Sequence, residues 1–163
     1  MTTIEHPAAI AAEAALSELA MHAERLVDRG SAVVVQLGSA EHEIIVLVPT
    51  DAAGFGAPVG TVGTFRRPIV RPDRTAEHSP IQLLTRKRAT LPGQQHWWVI
   101  SAVTAADAIG VQVTSSQDTH EAVPDAEGRV IAAVQVQEGE VPSVTVTTRD
   151  GGTVRVPPDY LGR

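Results

Sequence analysis

Apolar positions recur every three to four residues at the start of the chain and every second residue over most of the remainder, and the change falls at Gly30. Ala9, Ala12, Leu16, Leu19, Ala20, Ala23, Leu26 and Val27 follow the helical repeat, while Glu13, Ser17, Glu24 and Asp28 fall off that stripe. Pro7 suits a first helical position, where its missing N–H costs nothing, and Gly30 suits the left-handed residue after a last turn. The pattern predicts one amphipathic helix between them, about 35 Å long. Leu16, Leu19, Leu26 and Val27 are its expected association face.

Beyond Gly30 the β-branched runs 32–37 and 43–48 flank the polar connection Gly38-Ser39-Ala40-Glu41-His42, which reads as a hairpin. Glycines and prolines then interrupt the chain as far as Gln95, leaving room for short strands near 60–65 and 81–86. From His96 onward strands are expected at 96–103, 109–115, 129–137, 143–149 and 153–156, separated by turn residues such as Asp150-Gly151-Gly152. Val111, Val113, Val144 and Val146 alternate with Gln112, Thr114, Thr145 and Thr147, the pattern of antiparallel strands with one wet face.

The expected fold is therefore α+β and mainly β. An N-terminal helix over 1–30 precedes a mostly antiparallel β-domain over 31–163, a sandwich or a partly open barrel, with an irregular basic insert at about 64–92. The stretch from Trp97 to Pro157 resembles the strands of an immunoglobulin-type sandwich. It lacks the Cys…Trp…Cys hallmark, so the resemblance implies an architecture and no activity.

Aromatic residues make up only 3% of the chain, so the core must be built from Val, Ile, Leu and Ala. Trp97 and Trp98 are neighbours on an expected strand and must point to opposite faces. One fills the core; the other lies under the helix or anchors a partner. The absence of cysteine excludes disulfides, thiol catalysis and thiolate zinc sites. No apolar run approaches the length of a membrane span, and the N-terminal alanines are broken by Glu5, Glu13 and Glu18. A soluble, cytoplasmic protein is expected, or a virion component, since the composition resembles that of chains from GC-rich bacteria or their phages.

The net charge of −6 conceals an asymmetry. The insert carries Arg66, Arg67, Arg71, Arg74, Arg86, Lys87 and Arg88 against Asp73 and Glu77. Guanidinium forks bind carboxylates and phosphates, so an acidic protein partner is one reading and a nucleic acid another. Against the nucleic acid stand the acidic character of the whole and the single aromatic of the insert, Phe65. Internal pairing or solvation of these arginines is the plainer alternative.

Chemistry-bearing motifs are sparse. Histidines adjoin carboxylates at Glu5-His6, Glu41-His42-Glu43, Glu77-His78 and His120-Glu121, but none has the spacing that seeds a metal site. No metal and no cofactor are expected. Ser39 follows a glycine in a hairpin connection rather than a nucleophile elbow. Gly54 to Gly60 approaches a dinucleotide fingerprint, yet Pro58 and the strand-like residues after it remove the helix such a site requires, leaving a flexible loop. Pro157-Pro158-Asp159-Tyr160 matches a Pro-Pro-x-Tyr ligand and is read as an extended tail. A non-enzymatic interaction or structural module, binding another protein or a second copy, is the first reading. Anion or nucleic-acid binding by the insert is the second, and an enzyme whose site assembles from dispersed residues is the third.

Overall fold

Helix α1 (Pro7–Ala15) starts where the sequence places it and stops after nine residues, far short of Gly30. Pro7 takes the first turn, and the Nδ1 of His6 caps the helix by accepting the N–H of Ala8 at 3.0 Å. A 3-10 turn (Ser17–Leu19) follows, and Ala20 then adopts a left-handed conformation (φ 51°) that redirects the chain. Residues predicted as the second half of the helix form strand β1 (His22–Asp28), paired antiparallel with β2 (Ala32–Gly38). Helix propensity is worth only tenths of a kcal/mol per residue. Here it loses to a strand ladder along a buried neighbour. Gly30 does take positive φ (86°), but as the turn of the β1–β2 hairpin, where Arg29 donates its N–H to the carbonyl of Ala32.

The structure, a computed structural model, describes residues 4–51, 54–66 and 69–161, and these are mainly antiparallel β-structure. The chain divides into two compact units, Met1–Arg67 with Ala89–Gln94, and Pro68–Arg88 with Gln95–Arg163. In the first, β1, β2, β3 (His42–Asp51) and β4 (Gly54–Phe55) follow one another across a sheet, and β5 (Val59–Phe65) joins it by pairing with β3. The expected β2–β3 hairpin is present, with Gln36 opposite Ile45 and Gly38 opposite Glu43. Ala8, Ala9 and Ala12 bring α1 down onto Val33, Val35, Ile44 and Val46. Small alanine side chains permit that close approach, and so the helix shares a core with β1–β3. The Gly54–Gly60 stretch, expected as a flexible loop, holds the short strand β4 and the first residues of β5.

The second unit contains two sheets around one core. Strands β6 (Ile81–Leu91), β7 (Gln95–Thr104) and β10 (Arg129–Val136) form one in the order β10-β7-β6; β8 (Ala108–Thr114), β9 (Thr119–Ala122), β11 (Ser143–Thr148) and β12 (Thr153–Arg155) form the other in the order β12-β11-β8-β9. Every second residue faces inward: Trp98, Ile100 and Ala102 on β7, Val130, Ala132 and Val134 on β10, Val111 and Val113 on β8, Val144 and Val146 on β11. The Pro-Pro-Asp-Tyr segment is helical rather than extended. It forms α2 (Pro158–Leu161), whose Leu161 enters that core and whose Tyr160 hydroxyl accepts the Leu83 N–H at 3.4 Å. Among the described residues no helix is long and apolar enough to cross a membrane.

Candidate interaction groove

The first unit carries an apolar groove of about 310 Å³ on the α1 side of its sheet. Ile44 of β3 and Gly63 of β5 line it together with Leu19 and Met21 from the turn before β1, and with His42 and Phe65. His42 and Phe65 are cross-strand partners, their rings 4.6 Å apart between centroids and tilted by 42°. Phe65 is 71% exposed and Leu19 is 50% exposed, so two large apolar side chains stand open to solvent at one site. Such exposure forgoes part of the burial free energy these residues would otherwise contribute, about 1–2 kcal/mol each. Gly63 keeps the groove open: a Cβ there would meet only Ile44 Cγ1 at 3.6 Å and the Glu43 carbonyl at 3.9 Å. Among the described residues β5 pairs with β3 and with no second strand.

On the opposite face of the same sheet lies a polar cluster. Gln36, fully buried, accepts from Arg25 Nη1 at 2.9 Å and donates to Glu24 Oε1 at 2.9 Å. Arg66, just past β5, pairs with Glu24, reaches Glu43 at 3.2 Å and donates through Nε to the carbonyl of Ser39. One guanidinium thus ties β1, the β2–β3 turn and β3 to the end of β5. Its hydrogen-bonding capacity is spent inside the fold.

The rest of the basic insert is scattered. Arg71 donates to the carbonyls of Thr104, Ala105 and Ala126. Arg86 donates to the carbonyl of Leu161, and Arg88 to those of Glu140 and Gly139. Arg86, Lys87 and Arg88 lie on β6, an edge strand, where basic side chains also discourage pairing with a second sheet. Arg74 is exposed, and Arg67 lies outside the described residues.

Trp97 and Trp98 do point to opposite faces, yet both are buried, at 1% and 0% exposure, so neither offers an anchor to a partner. Trp98 fills the second unit's core, and α1 packs in a core that contains neither indole. The expected helical association face is broken up. Leu16 packs against the α1 core and Leu19 opens into the groove, whereas Leu26 and Val27 sit on β1 with opposite orientations. His6 and His120 serve as acceptors of backbone N–H groups. Among the described residues no three His, Asp or Glu side chains gather as a metal site would require.

Carboxylates with lowered pKa sit at turns. Asp28 is lowered first by the Gly30 N–H and then by His6, Glu140 first by the Gln137 N–H and then by Ser116, and Asp150 first by the Thr148 hydroxyl. These groups fasten loops, and none of them lines the groove. Compared with protein-family models, curated proteins and solved structures, the chain matches none.

Proposed function

We propose that this chain is a non-enzymatic protein-interaction module whose docking surface is the groove beside β5. The observation that carries the reading is the pairing of Phe65 and Leu19, both exposed, across an apolar hollow held open by Gly63. Exposed aromatic and aliphatic side chains beside a concave apolar site are the composition of an interface core. Anion or nucleic-acid binding is the weaker alternative, because Arg66, Arg71, Arg86 and Arg88 already donate within the chain.

The proposal extends to the architecture of the second unit as an immunoglobulin-like sandwich. Its support is the strand order: the β6–β7 and β8–β9 hairpins belong to different sheets, and β10 and β11 each return beside an earlier strand. Such crossed connections are of the Greek-key kind. Folds of that kind carry many unrelated functions, so the activity rests on the groove alone.

The test is selection of a random peptide library displayed on phage against the full chain. Enriched peptides are expected to shift the amide resonances of Ile44, Gly63 and Thr64 and to bind Phe65→Ala at least about tenfold more weakly. No enrichment, or enriched peptides that leave those resonances unmoved, overturns the reading.

A further inference from the structure

We infer that the groove receives an extended, basic peptide segment that adds as a further strand along β5 and places an apolar side chain over Gly63. The inference rests on the docking role proposed above and specifies the occupant.

Three observations converge on it. First, β5 is bonded to β3 on one side and to no other strand among the described residues, so it presents a row of main-chain donors and acceptors to an incoming strand. On three other edges, β1, β6 and β10, side chains occupy outward N–H groups. Glu13 accepts the Ala23 N–H of β1 at 2.7 Å, Tyr160 accepts the Leu83 N–H of β6, and His120 and Asp118 accept the Ala133 and Gln135 N–H groups of β10. β5 carries glycine where those edges carry guards.

Second, Gly63 faces the groove without a side chain, and a strand-interior glycine leaves room for another backbone to approach closely. A residue of an added strand beside Gly63 projects its side chain onto the floor made by Ile44, between Met21 and Phe65. That floor carries no charged group, so the inserted side chain is apolar.

Third, the lining residues are bordered along the chain by an acidic rim. Glu18 precedes Leu19 and Glu41 precedes His42; both are exposed, and neither forms an ion pair among the described residues. Glu41 is held at the end of β5 because its carbonyl accepts the Arg66 N–H at 2.8 Å. Among the described residues, Arg66 at the end of β5 is neutralised by Glu24 and Glu43. Over the whole first unit acidic residues outnumber arginines eight to four. A segment with lysine or arginine flanking its apolar residue complements that rim, and an acidic segment is repelled.

The experiment uses fluorescence anisotropy with the full chain and three synthetic peptides of alternating valine and threonine with a central leucine. One has lysines at both ends, one has glutamates there, and one is the lysine peptide with alternate backbone amides N-methylated. The lysine peptide is expected to bind, with the glutamate and N-methylated peptides weaker by at least about tenfold. Glu18→Lys with Glu41→Lys, two surface changes, should invert the preference between lysine and glutamate ends. Equal binding of the N-methylated peptide shows docking without strand addition, which overturns this inference and leaves the docking role standing. Absence of binding by all three, together with a dimer in sedimentation that Phe65→Ala dissolves, makes a second copy the occupant and overturns it as well. Absence of binding and of library enrichment removes both readings.

Discussion

The guanidinium of Arg66 meets the carboxylate of Glu24 directly above the Cα of Gly38, in the space a β-carbon on residue 38 would fill. Gly38 is not required here for a left-handed backbone, since its φ is not positive. It is required for clearance. Gly38→Ala is therefore expected to push the ion pair aside and, because both groups are the ends of flexible side chains, to destabilise the first unit by only about 1 kcal/mol. The clash falls on Arg66 and Glu24 together, and without the guanidinium the Glu24 carboxylate can swing aside, so the same change in an Arg66→Ala background should cost measurably less. Urea unfolding of the four proteins of this double-mutant cycle checks the point, and simple additivity would show that Gly38 and Arg66 do not compete for that space.

Asp28, Glu140 and Asp150 have carboxyl pKa values below their ordinary range, because folding supplies each with N–H or O–H donors that the unfolded chain lacks. A depressed folded pKa gives stability that is fully present above the unfolded value and is lost as the pH falls through the folded one. The midpoint of urea unfolding is expected to be flat near neutrality and to fall below about pH 4, where ordinary carboxylates protonate. Asp28→Asn and Glu140→Gln should each lower the neutral plateau and flatten the acid limb. A limb unchanged by both substitutions would place the acid sensitivity in other groups.

Strand β10 is an apolar edge, and two side chains of the β9 region occupy its outward N–H groups: His120 Nδ1 takes that of Ala133 at 3.2 Å and Asp118 Oδ2 that of Gln135 at 3.0 Å. Replacing both by leucine leaves two backbone donors without acceptors, at about 1–3 kcal/mol each where water cannot reach them. It also bares a strand rich in Val, Ile and Ala. His120→Leu/Asp118→Leu is expected to unfold more easily and to self-associate in light scattering. Asp118→Asn keeps a side-chain oxygen and should behave nearly as the parent. A monomeric double variant of undiminished stability would show that the edge needs no guard.

Elements set by local turn chemistry and strict alternation were legible in the sequence: the β2–β3 hairpin, β7, β8, β10 and β11 all lie within a few residues of where alternation places them. Where a segment satisfied two periods, pattern alone chose badly. Residues 22–28 read as helix because Ala23, Leu26 and Val27 fit a helical stripe, but a β-bulge between Ala23 and Arg25 brings Ala23 and Leu26 to one face of β1 and leaves Val27 on the other. Only the neighbouring strand β2 decides between them. Glu13 looked like a solvent-facing helix residue, and its role as acceptor for the Ala23 N–H depends on the chain reversing at Ala20. The groove was not foreseen either. Its one local sign is Gly60-x-x-Gly63-x-Phe65, a glycine-broken strand ending in an aromatic, and charge pattern alone groups that aromatic with the basic insert.

Arg71 separates a basic insert built to attract anions from one built to fasten loops. Its three nitrogens reach the carbonyls of Thr104 at 3.1 Å, Ala126 at 3.2 Å and Ala105 at 3.3 Å, a span that a planar fork covers and a single ammonium does not. The residues beside it continue the strap: the Pro72 carbonyl accepts the Ala106 N–H at 2.8 Å, and Thr75 gives both its N–H and its hydroxyl to Asp107 Oδ1. Gly128 passes against the same guanidinium with φ of 83°, and a β-carbon there would crowd Arg71 Nε and the Thr104 carbonyl. Arg71→Lys preserves the charge and loses most of the fork, so it is expected to cost about 1–3 kcal/mol of stability, close to Arg71→Ala. Thermal unfolding of both variants distinguishes the roles. If lysine retains parental stability while alanine does not, charge is what the position contributes, and the insert regains its standing as an anion-facing surface.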